Sequence, residues 1–219
     1  MPSTDHDVIP ARRERLALCD LFEQVGPDAP TLSGDWTTRD LAAHLVVRER
    51  RLDAAAGIVI PPLAGYTEKV QQQVAEREWG ALVHAVRRGP PSWSPMRLDP
   101  VDRLANTIEF FVHHEDVRRA GERWEPRQLD QDLRDDLYGA LSKVGRGLAR
   151  SSPVGLVLAP DDTTDGATIT ARKGDPSVTI SGPIGEIVLF VYGRKDQAQV
   201  HLDGDEGSVA AVRDAAFGV

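Results

Sequence analysis

Glu109 and His113 stand four residues apart, with Asp116 three residues further on, in the segment from Asn106 to Arg119. On a helix this spacing stacks the carboxylate and the imidazole on one face, one turn apart, and brings Asp116 close enough to orient the same ring. A carboxylate and an imidazole so placed are two ligands for a divalent metal. His44, in a separate apolar stretch, offers a third. Three convergent protein ligands leave coordination positions open, as sites that do chemistry require. The same residues also admit a purely structural reading. Glu109 and His113 lie beside Ile108, Phe111 and Val112, and a buried carboxylate is costly unless paired. A Glu–His–Arg network would satisfy it without metal, and spacing alone does not decide between the two.

The elements that must position these groups are read from periodicity. Residues 10 to 25 place Leu16, Cys19, Phe22 and Val25 at three-residue steps, a helical stripe ended by Gly26-Pro27. Thr37 with Asp40 three residues on forms a reciprocal cap for a second helix, which carries His44 and runs to about Ala56, where Gly57 is a natural stop. A third helical region covers Thr67 to Arg88. Asp99-Pro100 opens the helix of Glu109 and His113, with Asp99 as cap and proline at the first helical position. A fifth helix spans about Asp130 to Arg150, with Leu133, Leu137, Leu141, Val144 and Leu148 on one face.

Near Ser151 the period changes. Val154 to Ala159, Ala167 to Arg172, Ser177 to Ser181 and Ala198 to Leu202 read as short strands, with helices at Pro183 to Tyr192 and Gly207 to Ala216. The fold class is therefore α+β. A helical bundle over residues 1–150 precedes a small α+β domain over 151–219.

Composition narrows the partners. The chain has 219 residues, 41% hydrophobic and 27% charged, and its 34 acidic against 26 basic side chains give a net charge of -8. That argues against nucleic acid or anionic membrane as partner. A single cysteine, Cys19, excludes an intramolecular disulfide and fits a reducing compartment. The first residues lack the basic start and apolar run of a signal peptide, and no stretch is long enough to span a membrane. A cytoplasmic monomer is expected. His114-Glu115 begins like the HExxH zinc-protease motif, but Arg118 stands where the second histidine belongs. His114 itself points about 100° from His113 around the helix, which makes exposure or packing its ordinary role. Arg118 and Arg119 suit the C-terminal end of a helix dipole.

The pairing of Trp36-Thr-Thr-Arg-Asp-Leu-Ala-Ala-His44 with Glu109-Phe-Phe-Val-His113-His-Glu-Asp116 resembles the DinB-like metal-binding bundles. It is more closely similar to the mycothiol-dependent maleylpyruvate isomerase family, and the stretch from Asn106 to Ala120 looks most like a metal-binding branch of that family. The stretch from Gly182 to Lys195 looks like the family's sterol-carrier-like C-terminal domain. The resemblance implies a DinB-like bundle followed by that domain, with His44, Glu109 and His113 as ligands of a divalent ion, zinc foremost. It implies Asp116 as the acceptor of the second imidazole N–H, and an arginine of the second domain near the site, for which Arg194 is the candidate. The implied activity is a mycothiol-dependent isomerase or S-transferase, taking a small thiol and a small electrophilic substrate. A non-catalytic metal-binding module and an apolar-ligand carrier are the alternatives.

Overall fold

The computed structural model describes residues 8–55, 60–94, 97–164 and 166–218. The chain forms two compact units, Met1–Trp124 and Glu125–Val219. The first unit is helical: α1 (Pro10–Val25), α2 (Thr38–Arg50), a single turn α3 (Leu52–Ala55), α4 (Ala64–Ala75), α5 (Trp79–Arg88) and α6 (Asp99–Arg118). Its core packs Leu18, Cys19 and Phe22 of α1 against Leu41 and Leu45 of α2, Leu82 and Val86 of α5 and Phe110 of α6. The buried face of α1 follows the 3.6-residue period, through Arg15, Leu18, Cys19 and Phe22. Leu16 and Val25, placed on the stripe by three-residue counting, are exposed.

Local chemistry sets the helix ends. Thr37 and Asp40 form the reciprocal cap of α2, with both hydrogen bonds present. The helix pauses at Arg51 before α3, and Gly57, expected as its stop, lies outside the described residues. The anticipated third helix is two helices, because Glu78 turns extended and its carboxylate caps α5 through the Gly80 and Ala81 amides. The Arg39 guanidinium donates to the carbonyls of Ala75 and Arg77 and so ties that break to α2. α6 starts at Asp99 itself, with Leu98 in the cap position and no side-chain cap bond.

The second unit contains α7 (Gln131–Leu148), β1 (Gly155–Pro160), β2 (Ile169–Arg172), β3 (Ser177–Gly182), α8 (Ile184–Val191), β4 (His201–Asp203) and α9 (Glu206–Asp214). The sheet order is β2-β1-β3-β4, with β1 and β3 parallel and both outer pairs antiparallel. Gly155 is needed where β1 meets the Gly174 turn, since a Cβ there would lie 2.3 Å from the Gly174 carbonyl oxygen. α8 is buried along its whole length. The chain divides between Trp124 and Glu125 and not near residue 150, because the leucine face of α7 closes over β2 and α8. The fold is α+β, and among the described residues no helix is long and apolar enough to cross a membrane.

Candidate metal centre

His44 lies on α2, seven residues after its capping threonine, and Glu109, His113 and Asp116 lie on one face of α6. One potential ligand atom from each of His44, Glu109 and His113 falls within 4.8 Å of the others. The Nε2 atoms of His44 and His113 are each 3.3 Å from Oε1 of Glu109. The two rings meet edge to face, centroids 5.4 Å apart. Both imidazoles are buried, while the Glu109 side chain keeps 21% of its surface. The carboxylate therefore marks the open side of the cluster.

Asp116 is fully buried and stands 2.9 Å from Nδ1 of His113. Its carboxylate is held in turn by the Ser33 hydroxyl at 2.9 Å, and its carbonyl accepts the Leu32 amide. The loop between α1 and α2 is thus fastened to α6 beside the cluster. A neutral imidazole that donates a hydrogen bond from Nδ1–H to Asp116 presents a lone pair at Nε2, the geometry a metal-binding histidine needs. Trp36 packs beside His44, ring centroids 5.2 Å apart.

Charge in the cluster is distributed unevenly. Burial, the largest influence on His44, lowers its pKa and keeps it neutral, with Glu109 pulling the other way. Burial also opposes ionisation of Glu109, but Arg48 and the two imidazoles hold its carboxyl well below the usual range. His113 is raised to about 9: burial works against its charge, and the Asp116 and Glu109 carboxylates prevail. The donor set of two imidazoles and one ionised carboxylate fits a divalent ion of the zinc class.

Arg48 was not legible as part of this cluster. Its Nε lies 3.3 Å from Oε1 of Glu109, and its two terminal nitrogens donate to the Asn106 side-chain oxygen and the Ala105 carbonyl. The pairing of Glu109 with histidine and arginine is therefore present together with the ligand geometry. Its signal was faint: Arg48 stands one turn after His44 on the same helix. His114 is buried, its Nδ1 2.9 Å from the Glu14 carboxylate of α1. Arg118 and Arg119 both pair with the buried Glu115. Arg194 belongs to the second unit, after α8, where its guanidinium donates to the Tyr192 carbonyl at 2.6 Å.

No family model matches the chain, and no curated protein matches it. Two solved structures share its fold. One is the mycothiol-dependent maleylpyruvate isomerase, with a TM-score of 0.59 and 17% identity. The other is a histidine-to-alanine mutant of the mycothiol-dependent maleylpyruvate isomerase, with a TM-score of 0.54 and 16% identity. Each alignment covers 93% of this chain and 97% of the other.

Proposed function

We propose that this chain is a divalent-metal protein that uses a small thiol, mycothiol foremost, either to isomerise a small electrophile or to transfer the thiol onto it. The observation that carries the reading is the meeting of His44, Glu109 and His113 within 4.8 Å, with Asp116 behind His113. The shared fold with a mycothiol-dependent enzyme supports the thiol.

When bound, a divalent ion such as zinc supplies Lewis acidity that lowers the pKa of a thiol beside it. The chain's own residues prepare the place. His44 stays neutral through burial and offers Nε2. Asp116 fixes the tautomer and direction of His113, and Arg48 keeps Glu109 ionised and in position. Trp36 packs beside the His44 ring. The protein cannot supply the sulfur from this site: Cys19, its single cysteine, is buried in the α1 face, and burial pushes its thiol up to about 12. The nucleophilic sulfur must therefore come from a co-substrate. Arg194 is assigned the contact to an anionic group of the substrate, on the resemblance alone.

Elemental analysis of purified wild type beside His44→Ala and Glu109→Ala tests the centre. One divalent ion per chain is expected in wild type and none in either variant; an empty wild type, or two variants that keep the ion, would overturn the assignment. Mycothiol-dependent isomerisation of a cis-alkene, or mycothiol consumption with an alkylating electrophile, by the loaded protein then separates an enzyme from an inert metal module. Arg194→Ala should lower that turnover while leaving metal content unchanged.

A further inference from the structure

A polar cavity lies in the helical unit among α1, the end of α5 and the start of α6. Its walls are Arg12, Arg15, Arg88 and Arg97, with Asp102 and the turn at Gly89. The turn is shaped for the cavity. Gly89 has a φ of 67°, and a Cβ there would stand 3.1 Å from Nη1 of Arg15. Arg15 is 4% exposed and grips Glu49 through both terminal nitrogens, at 2.5 and 2.6 Å, which makes it a fixed wall.

Positive charge exceeds negative charge here, in a protein whose net charge is -8. The carboxylates tied into the cavity wall are Asp99 and Asp102, both on Arg12, and Glu49 on Arg15. Against them stand the four wall arginines and Arg50, which donates to the Gly89 carbonyl behind the turn. Among the described residues the Arg88 side chain makes no hydrogen bond or ion pair. The Arg97 guanidinium donates to the Pro90 carbonyl at 3.2 Å. Arg50 has a buried Nε without a hydrogen-bond partner, and burial followed by the neighbouring Arg88 pulls its pKa down. Guanidinium groups gathered in this way favour an anion among them.

We propose that this cavity binds a phosphate group, with Arg12, Arg88 and Arg97 as its ligands. Three guanidinium groups arriving from different elements suit an anion with several oxygens better than the two-oxygen edge of a carboxylate. The cavity holds about 50 Å³, several times the minimum for one water. The cavity is lined by other residues than the metal cluster, and the proposal does not rest on that cluster's function.

Calorimetric titration of the purified protein with inorganic phosphate and, separately, glycerol phosphate tests this, at constant ionic strength against chloride. Saturable binding at one site per chain is expected for at least one of the two. A stronger response to inorganic phosphate identifies the free ion, and a stronger response to the ester identifies a phosphorylated small molecule. The exposed pair Arg88→Gln/Arg97→Gln should weaken binding by at least about tenfold, while His44→Ala should leave it unchanged. No binding beyond chloride, equal binding by the Arg88/Arg97 variant, or loss confined to His44→Ala would each overturn the proposal.

Discussion

His113 and His114 are adjacent in sequence, equally buried, and each has Nδ1 2.9 Å from a carboxylate. They face opposite neighbourhoods of the first unit. His113 looks towards α2, where its second nitrogen meets Glu109 within reach of His44; His114 looks towards α1 and pairs with Glu14. A buried histidine with a carboxylate behind it is therefore not distinctive. What separates the two is the other nitrogen: on His113 it is aimed at further ligand atoms with an open side.

The largest effect that tests this contrast is on metal affinity. His113→Ala should weaken divalent-metal binding by more than about 100-fold, beyond the range for outer positions, while His114→Ala keeps stoichiometric binding in a chelator-competition titration. If both variants lose metal equally, the distinction between the faces fails.

The pH response comes next. His113 titrates at about 9, above its ordinary 6.5, so without metal the stabilisation from its charged form is complete below 6.5 and is lost as pH rises through about 9. Metal binding runs the opposite way, because the ligand must be the neutral ring. Affinity should rise about tenfold per pH unit towards 9 and then level off, with one proton released per ion at neutral pH. Calorimetry in buffers of different ionisation enthalpy measures that proton, and a pH-independent affinity would remove His113 from the ligand set.

Asp116→Asn should weaken metal binding about 10- to 100-fold, as loss of an orienting carboxylate does. The smallest consequence belongs to the other face. His114→Ala should cost about 2 kcal/mol of stability through the lost charge-assisted hydrogen bond to Glu14, seen as a lower denaturation midpoint with metal stoichiometry intact.

Much of this could be read from the chain because it is local. The four-residue step from Glu109 to His113, the further three to Asp116 and the Thr37–Asp40 cap each depend on helical geometry within one turn. The switch to short strands after Ser151 is equally visible, although β2 is shorter than the stretch 167–172 and β4 falls at His201–Asp203, shifted from 198–202. What remained hidden was pairing across long sequence separation. Nothing local tells that Arg48 reaches Asn106, 58 residues on, or that Glu14 waits for His114, 100 residues on. The leucine stripe of α7 shows that the helix must be covered but not by what; β2 and α8 cover it.

Asn106 has a consequence of its own. Its oxygen accepts from Arg48, which holds Glu109, and its amide nitrogen donates to Asp102 in the wall of the arginine cavity, with Glu49 3.5 Å away. One neutral side chain thus stands between two charged neighbourhoods, and an aspartate in its place could not serve both directions. Substitutions on either side of it will not combine additively, since groups sharing one hydrogen-bond network couple by about 0.5–3 kcal/mol. The effect of changing Arg12 or Asp102 then depends on which residue occupies position 48, so the order in which such changes accumulate decides which combinations remain accessible.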